Sequence, residues 1–554
     1  MRTNYLNILI FLFFGLINNV YSQNESWFYI RATSDSFVPK FDRFNNLLTY
    51  RGDNENLKKI FAAYKISEFK KSYKNAKKSS LKRTFFVVVN DEQLLEDLLI
   101  NASEKFDFGE IIMETDKKIF EPNDYGLTST IGTNKGLAVN LDYFDFVGAP
   151  QAWYYTTGSK DMIIGLSDGQ VEITDKDFLA KTTVIKKSSK AKGHGSGVAS
   201  IAAGQGNNAY GTTGICYDCS IYTTHYYDTK TLKQLLELSA MGVKVINCSW
   251  ALTSYYQTAQ DVINEMFENG TILVAAAGNQ DWSKSKGEVF YFPSSYDNVI
   301  SVSSVMHRYD SVEENILMSE EGNPYAANIK NYLGRTVGFK DNDTLKKHHI
   351  WPVSITTLNK KVDILAPSVD LFRYSSFALN QEELYTLEAT SSTAPFVTGT
   401  IGLMLSLNPC LPLQEIETIL KLTSTNIDYI EANKPYKNNY GSGSLHIGRA
   451  VKMVYDLYTD TAITRISNQN FNRWNLKLTA LSKNVLIENQ VFSESVIFNL
   501  EAKNRIVIGE NTVLKPNKNG SIHLRVNPNL ERKCDLVLRE GFPNNKYYHP
   551  KKIN

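Results

Sequence analysis

Short apolar runs alternate with helical patterns over residues 140–457, and this alternation constrains the fold more than any other feature of the chain. Five of the runs lie in "DMIIGLSD", "SIYTTHYY", "VKVINCSW", "TILVAAAGN" and "NVISVSSV". Helical patterns such as "TLKQLLELSAMG" and "AQDVINEMFENG" separate several of them, and each ends in Gly where a C-terminal cap belongs. Strands that alternate with helices predict a largely parallel sheet with right-handed crossovers, and this places functional side chains at the carboxyl ends of the strands.

Two regions of different pattern flank this segment. Residues 23–125 mix strand signals, such as "TFFVVVN", with a helical Leu repeat in "DEQLLEDLLINASEKF", which predicts a small α+β domain. Residues 460–554 contain short strands separated by Asn, Lys and Gly turns, which predicts a separate β-rich extension. With 554 residues, of which 42% are hydrophobic and 21% charged, the chain suits a globular protein with a large core.

The amino-terminal segment has the organisation of a signal peptide. Arg2 precedes an apolar run at residues 8–17, and Val20, Tyr21 and Ser22 stand where a signal peptidase reads the chain. The run is too short to span a bilayer comfortably. We therefore predict a signal peptide at 1–22 and a secreted or cell-surface mature protein without a transmembrane segment.

Charge and cysteine content exclude several other classes. The net charge of +2 comes from 60 basic and 58 acidic residues, and no basic stripe interleaved with aromatic residues predicts a nucleic-acid partner. The Lys-rich segment 69–83 is interpreted as a solvated connector. Cys216 and Cys219 lack the second pair that a zinc site requires, so in an exported protein their spacing favours a local disulfide over free thiols.

Four polar segments stand at strand ends or helix starts. Asp168 ends an apolar strand, and His194 lies between two glycines at the start of a small-residue helix. Asn279 follows a buried strand, and Ser391 and Ser392 precede an apolar helix. Each residue also has an ordinary structural interpretation as a turn residue, a structural histidine or a helix cap. Local physical chemistry alone does not choose between the two serines.

In their order along the chain, these segments resemble the subtilisin-like serine protease family, the subtilases. "SDGQVEITDKDF" resembles the family's Asp segment, and "HGSGVASIAAG" resembles its His segment. "AAAGN" matches the oxyanion segment, and "TSSTAPFVTG" resembles the Ser segment. Supporting similarity lies in "FDFVGAPQAWYYTTGSKD", "VINCSW" and "DILAPSV", so that the resemblance covers about 140–457.

The resemblance implies the subtilase fold, an α/β architecture in which a mostly parallel seven-stranded sheet lies between helices. Residues 140–457 would form the catalytic domain. Residues 23–125 would form a propeptide that assists folding, blocks the cleft as an intramolecular inhibitor and is removed near 121–135. The β-rich region at 460–554 is similar to accessory or sorting modules of secreted proteases.

The implied activity is that of a secreted serine endopeptidase, made as a zymogen, that cleaves polypeptides through an acyl-enzyme. Asp168, His194 and Ser391 would form the triad. The family's proline falls four residues after the nucleophile, and counting back from Pro395 selects Ser391. Asn279 and the backbone N–H of the serine would hold the oxyanion.

The resemblance also implies a substrate cleft and a metal site. The residues at the cleft positions are Ser249, Trp250, Ala251, Gly278 and Tyr291. Tyr291 replaces a smaller residue, so we expect a shallow pocket that prefers small P1 side chains. Asp177 and Asn208 match calcium-binding positions, which implies a structural Ca²⁺ but no cofactor for catalysis.

The chain departs from the family pattern at several positions. Ser167 precedes the acid where an apolar residue is usual, Ala389 replaces a glycine, and Phe396 replaces a histidine. The main alternative is an inactive subtilase-fold binding or scaffold protein, and a second is an adhesin whose β-rich region is the functional part. An esterase is disfavoured because the chain lacks a Gly-x-Ser-x-Gly elbow. The residues suggest no role for the insert at 307–352.

Overall fold

The computed structural model describes residues 26–44, 47–72, 78–112, 118–125, 141–188, 192–280, 287–350, 356–377, 381–387 and 389–544. The predicted signal peptide and residues 126–135 of the expected processing window lie outside these ranges. The chain divides into two compact units, Met1–Lys118 and Ile119–Asn554. None of the helices in the described ranges is both long and apolar enough to cross a bilayer.

The first unit is an antiparallel sheet with helices, as the mixed pattern predicted. Its strands are β1 (Ser26–Ala32), β2 (Phe41–Phe44), β3 (Leu47–Tyr50), β4 (Ile66–Lys71), β5 (Thr84–Val89) and β6 (Phe106–Ile112), in the sheet order β2-β3-β4-β5-β1-β6. Its helices are α1 (Glu55–Ala62), α2 (Ser79–Lys82) and α3 (Gln93–Asn101). Apolar side chains of α1 and α3 pack with β5 in a small core of their own. This part of the chain is therefore an α+β unit.

A seven-stranded parallel sheet organises the second unit and confirms the predicted fold class. Its strands are β7 (Ile163–Ser167), β8 (Thr182–Val184), β9 (Ser220–Thr224), β10 (Val245–Cys248), β11 (Ile272–Ala276), β12 (Val299–Val305) and β17 (Ile364–Pro367). The sheet order is β17-β12-β11-β10-β7-β9-β8. Every residue of β10, β11 and β12 is buried, as expected for parallel strands covered on both faces.

Helices cover this sheet. They are α4 (Asp142–Phe146), α5 (Ala149–Tyr155), α6 (Lys192–Ala203), α7 (Lys233–Ala240), α8 (Gln257–Glu268), α9 (Ala394–Leu407), α10 (Leu413–Thr423) and α11 (Ile447–Leu457). All fourteen residues of α9 are buried. Because α9 is apolar all round, it serves as the central helix of the unit. A short 3₁₀ turn, Thr390–Ser392, leads directly into α9.

In the described part of the chain, three hairpins lie between β12 and α9. The pairs are β13 (Ile316–Met318) with β14 (Pro324–Ala326), β15 (Thr336–Phe339) with β16 (His348–Ile350), and β18 (Leu371–Phe377) with β19 (Gln381–Leu387). The first two pairs make up most of the insert. At its base, Arg308 Nε donates to Asp142 Oδ2 at 2.6 Å and Nη1 donates to Asp370 Oδ2 at 2.7 Å. These ion pairs connect the insert to the start of α4 and to the loop before β18.

The carboxyl-terminal strands form a parallel β-helix. They are β20 (Ile463–Ser467), β21 (Asn470–Phe471), β22 (Asn475–Ala480), β23 (Asn484–Glu488), β24 (Val491–Glu494), β25 (Ile497–Ala502), β26 (Ile506–Ile508), β27 (Val513–Pro516) and β28 (Ser521–Val526). Three parallel sheets, β20-β23-β26, β21-β24-β27 and β22-β25-β28, form its sides. The β-rich character was predicted, but the coiled pairing was not.

The β-helix shares its hydrophobic core with the helices of the second unit. Ile466, Phe471 and Leu476 belong to the same buried cluster as Ile416 and Val451 of α10 and α11. Lys477 N donates to Thr418 Oγ1 at 3.0 Å, so β22 is also hydrogen-bonded to α10. The structure therefore packs this extension into the unit that contains the parallel sheet.

Candidate active site

Asp168 is the first residue after β7, at the carboxyl edge of the parallel sheet. Its side chain is buried, with 4% of its surface exposed. One carboxylate oxygen, Oδ1, accepts from Gly169 N at 2.6 Å, and Asp168 N donates to Thr224 O at 3.1 Å. These backbone contacts hold the carboxylate in one orientation between the ends of β7 and β9.

His194 lies in the first turn of α6, opposite this carboxylate. Its Nδ1 is 2.6 Å from Asp168 Oδ1, and 43% of its side-chain surface remains exposed. The close approach depends on Gly195, because a Cβ there would lie 2.2 Å from Gly169 O. With Nδ1–H donated to the carboxylate, Nε2 is the ring nitrogen left to accept a proton.

Ser391 stands in the 3₁₀ turn before α9. Its hydroxyl donates to Ser249 O at 3.3 Å, and Ser249 Oγ donates to Ser391 O at 2.8 Å. The neighbouring Ser392 is fully buried, whereas Ser391 is partly exposed. Among the described residues, no hydrogen bond joins Ser391 to His194, and Ser391 N has no acceptor. Of the two serines, Ser391 is the one with access to solvent.

Asn279 follows β11 and is oriented by the same turn. Its Oδ1 accepts from Thr390 N at 3.0 Å and from Thr390 Oγ1 at 2.8 Å. A backbone N–H can only donate, so the side-chain atom of Asn279 that faces Thr390 N must be the amide oxygen. Nδ2 therefore faces away from Thr390. Nδ2 has no hydrogen-bond partner in the described part of the chain, and the residue is exposed. Two N–H donors, Asn279 Nδ2 and Ser391 N, are thus left available beside one serine hydroxyl.

Comparison with known proteins identifies the family of the chain. The model of the subtilase family matches residues 157–443, which is more than half of the chain. The chain belongs to the subtilase family. Asp168, His194, Asn279 and Ser391 all lie within the matched range.

Individual subtilases match over shorter stretches. A thermophilic serine proteinase of Bacillus sp. (strain AK1) is 31% identical over 175 residues, which is 29% of this chain and 42% of that protein. Subtilisin DY of Bacillus licheniformis is 25% identical over 243 residues, covering 42% of this chain and 71% of its own. A halolysin-like extracellular serine protease, Nep, of Natrialba magadii is 25% identical over 312 residues, covering 52% and 48%. The chain thus spans less than half the length of the first of these relatives.

The positions expected to line a subtilase cleft lie near Ser391 or on neighbouring segments. Ser249 is buried against the serine turn, and Ala251 is exposed beyond it. Trp250 Nε1 donates back to Ser167 O at 3.1 Å. Gly278 has a φ of +99°, and a Cβ there would lie 2.4 Å from the Tyr291 ring. The Tyr291 ring therefore packs directly on the backbone beside Asn279.

Asp177 and Asn208, the two expected calcium-binding residues, are in direct contact. Asn208 Nδ2 donates to Asp177 Oδ1 at 2.8 Å, while Asp177 Oδ2 is buried without a hydrogen-bond partner. Burial, with the charges of Asp175 and Asp124 behind it, raises the pKa of Asp177 well above its usual range. No group of three or more His, Cys, Asp or Glu side chains in the described residues is arranged to hold a metal ion. Calcium sites built on carbonyl and amide oxygens do not require such a group.

Sequence reasoning missed the residues that support this site. It did not predict that Thr390 orients Asn279, that Trp250 bonds to Ser167, or that Asp124 accepts from Asn208 N at 3.2 Å. None of these contacts has a local sequence pattern, although the Ser at position 167, before the acid, was a visible departure from the family pattern.

The disulfide predicted between Cys216 and Cys219 is present, and Cys410 pairs with Cys534. Cys248 is a buried free thiol.

Proposed function

We propose that this subtilase is a secreted serine endopeptidase, made as a zymogen, that hydrolyses peptide bonds through Ser391, His194 and Asp168. The observation that carries the proposal is the 2.6 Å contact between His194 Nδ1 and Asp168 Oδ1, with Ser391 and Asn279 at the same edge of the sheet. A histidine oriented by a buried carboxylate is a general base that can activate a nearby hydroxyl.

Acylation begins when Ser391 Oγ attacks the carbonyl carbon of the scissile bond. The Oγ proton passes to His194 Nε2, which requires the hydroxyl to turn from Ser249 O towards the ring. His194 then delivers that proton to the leaving amine, and the C–N bond breaks. Asp168 keeps the imidazole in the Nδ1–H tautomer and stabilises its charged form. In deacylation, His194 Nε2 takes a proton from a water molecule as the water oxygen attacks the acyl carbon. The bond from that carbon to Ser391 Oγ then breaks, His194 returns the proton to Oγ, and the carboxylic acid product leaves.

The oxyanion of each tetrahedral intermediate would receive two hydrogen bonds, one from Asn279 Nδ2 and one from Ser391 N. Neither donor has a hydrogen-bond partner among the described residues, and Thr390, which holds Asn279 Oδ1, directly precedes Ser391. Thr390 holds the amide of Asn279 before substrate binds, so the donor does not have to reorient during the reaction. Such preorganised donors stabilise charge that develops in the transition state.

Polypeptides are the proposed substrates, with small side chains preferred at P1. The Tyr291 ring against Gly278 supports this preference, because it occupies space next to the oxyanion donor. Ser249, Trp250 and Ala251 would lie along the bound peptide. An inactive scaffold is the second candidate, but a scaffold has no need for the Thr390 contacts that orient Asn279.

A structural Ca²⁺ fits the segment around Asp177. The buried, unpartnered Oδ2 of Asp177 is an anionic oxygen that a cation would neutralise. Asn208 Oδ1 accepts from Tyr210 N at 3.0 Å and keeps a second lone pair. The ion would bind the loop after α6 to the segment that follows Asp168, and it would take no part in the chemistry.

The first unit is the proposed propeptide and intramolecular inhibitor. Residues 119–125 are packed inside the second unit: Phe120 N donates to Pro150 O at 3.0 Å, and Tyr125 Oη donates to Asp145 Oδ1 at 2.6 Å. Because residues 119–125 are held by the second unit, these contacts favour a cleavage before Ile119 that releases the first unit. The sequence had suggested cleavage within 121–135. The signal-like start of the chain and an extracellular relative support export.

Labelling with a fluorophosphonate tests the proposed activity. Secreted wild-type protein should be labelled and should cleave casein, whereas Ser391→Ala should do neither and should retain the first unit in its intact mass. Ser392→Ala is the matched control, because it removes the adjacent buried hydroxyl and should still be labelled. A folded wild-type protein that has lost the first unit yet takes no label would support the scaffold instead.

A further inference from the structure

Ser167 and Trp250 are two residues that the triad chemistry leaves unexplained. Ser167 ends β7 and is a polar residue that is completely buried in a mostly apolar strand. A buried hydroxyl destabilises a strand unless it is hydrogen-bonded. The Ser167 hydroxyl donates to His225 O at 2.9 Å and accepts from Trp250 Nε1 at 3.3 Å.

These bonds connect the ends of three neighbouring strands. Ser167 is opposite Cys248 in the β7–β10 register, so Asp168 and Ser249 leave the sheet side by side. Trp250 turns its indole back to Ser167, with Nε1 also 3.1 Å from Ser167 O. His225 follows β9 on the other side of β7. One hydroxyl therefore ties the carboxyl ends of β10, β7 and β9 together.

The same connection reaches the nucleophile. Ser249, next to Trp250, receives the Ser391 hydroxyl bond on its carbonyl oxygen and donates its own hydroxyl to Ser391 O at 2.8 Å. Asn247 Nδ2 donates to Ser249 Oγ at 2.9 Å and fixes that hydroxyl. A continuous path thus runs from Asp168 through Ser167, Trp250 and Ser249 to Ser391.

We infer that the Ser167–Trp250 contact is a positioning device that holds the nucleophile in register with the acid. The inference rests on the proposed function. His194 is bonded to Asp168 but not to Ser391, so the separation of Nε2 and Oγ depends on how the two loops are held. Ser167 itself touches no reacting atom. Its role is to keep Ser391 within reach of His194 while the proton is transferred.

A matched pair of substitutions at Ser167 tests this role. Thr and Val have nearly the same shape as each other and add similar volume to the core, but only Thr keeps the hydroxyl. We expect Ser167→Val to lower kcat roughly tenfold, since small displacements of reacting groups have large effects on rate. Ser167→Thr should retain most of the wild-type kcat. KM for a short chromogenic peptide should be similar in both, because the buried side chain does not line the cleft.

Ser482→Ala is the matched control. Ser482 is also buried, donates to the backbone oxygen of Asn484 and accepts from the side chain of Thr464, but it lies in the β-helix. Its loss should lower thermal stability without changing kcat. Each kcat is calculated from the concentration of active sites titrated by fluorophosphonate, so that unfolded protein does not lower the value.

A double-mutant cycle provides the second measurement. Trp250→Phe removes the indole donor, and the combined Ser167→Ala/Trp250→Phe variant should lose less kcat than the product of the two single losses. Equal kcat for Ser167→Val and Ser167→Thr, or fully multiplicative losses in the cycle, would overturn the inference. A wild-type protein that resists labelling would instead overturn the proposed function, and the positioning role with it.

Discussion

The orientation of Asn279 is decided by a single neighbour. Thr390 supplies both a backbone N–H and a hydroxyl to Oδ1, and the pair leaves Nδ2 as the exposed end of the amide. Ser391, the proposed nucleophile, is the next residue after Thr390. The turn that presents Ser391 therefore also orients the proposed oxyanion donor.

Removal of the Asn279 amide should reduce kcat with little change in KM, because its hydrogen bond strengthens only in the transition state. The expected loss for Asn279→Ala is about 10²–10³-fold, the value known for loss of the oxyanion-hole asparagine of subtilisin. Thr390→Val should have a smaller effect, since the backbone N–H still holds Oδ1. Steady-state kinetics on titrated enzyme measure both. Asn264→Ala, on α8, is the control, and an unchanged kcat for Asn279→Ala would contradict the assignment.

Tyr291 should set the depth of the P1 pocket. Its ring lies against Gly278, so Tyr291→Ala removes the group next to Asn279, the proposed oxyanion donor. We expect the wild-type enzyme to prefer small P1 residues and the variant to gain activity towards Phe and Leu. Peptide-library cleavage profiles of the two proteins test this directly. A wild-type profile already dominated by Phe or Leu would show that the ring does not occupy the pocket.

At the scale of elements, the loop after α6 depends on Asp177. Burial and neighbouring carboxylates disfavour its charged form, and bound Ca²⁺ would reverse that effect. Calcium should therefore raise the Tm of Ser391→Ala protein over that in EDTA, and Asp177→Asn should abolish most of the rise. Mg²⁺ serves as the control ion, since it dehydrates reluctantly. The same Tm in calcium and EDTA would exclude the site.

Glu415, on the helix α10 that packs against the β-helix, is a buried group whose charge makes stability depend on pH. Burial raises the pKa of Glu415 to about 6, while Tyr458 Oη lies 3.5 Å from its Oε2. The folded state thus binds a proton that the unfolded chain releases near pH 4, so the stability from this group is present at low pH. It is lost as the pH rises through about 6.

Glu415→Gln should remove this dependence. Urea unfolding in the Ser391→Ala background should show the Gln variant more stable by about 2 kcal/mol at pH 8 and similar to its parent at pH 4. Glu265→Gln, on the exposed face of α8, controls for the general loss of a negative charge. A Gln variant that is less stable than its parent at pH 8 would contradict this. It would mean that hydrogen bonds to the ionised carboxylate outweigh the cost of burying its charge.

For the molecule as a whole, the carboxyl-terminal segment at 527–544, here called the strap, returns from the β-helix to α5. Cys534 in the strap is bonded to Cys410, and Val537 N donates to Leu407 O at 2.8 Å. Arg539 Nε donates to Tyr154 O at 2.7 Å, and its guanidinium lies 4.4 Å from the Phe120 ring centroid. The strap therefore joins the two ends of the second unit.

Loss of the long-range disulfide should loosen the strap. Its sequence separation of 124 residues is large, and removing such a bond typically lowers the free energy of unfolding by about 2–4 kcal/mol. In Cys410→Ala/Cys534→Ala protein, hydrogen exchange should become faster at Val537 and Arg539. The amides of β25 are the internal control and should keep their protection. Unchanged exchange in the strap would show that Arg539 and its aromatic neighbours hold it alone.

The shared core also changes what a truncation can reveal. Deleting 460–554 would expose the faces of α10 and α11 that pack on Ile466, Phe471 and Leu476. A loss of activity on truncation would therefore reflect the exposed core, and it would not by itself favour an adhesin. Point substitutions on the outer face of the β-helix are the cleaner probe of its own function.

The strand and helix alternation of the parallel sheet and the residue types of the candidate site could be predicted from the amino-acid sequence. Alternating apolar runs predicted the parallel strands, and the order of Asp168, His194, Asn279 and Ser391 predicted the family, because both depend on patterns that are local in the chain. The coiling of the last strands into a β-helix could not be predicted, since each strand could pair with many others. The contacts of Thr390 with Asn279 and of Ser167 with Trp250 could not be predicted either. These contacts join residues far apart in sequence, and no periodicity encodes them.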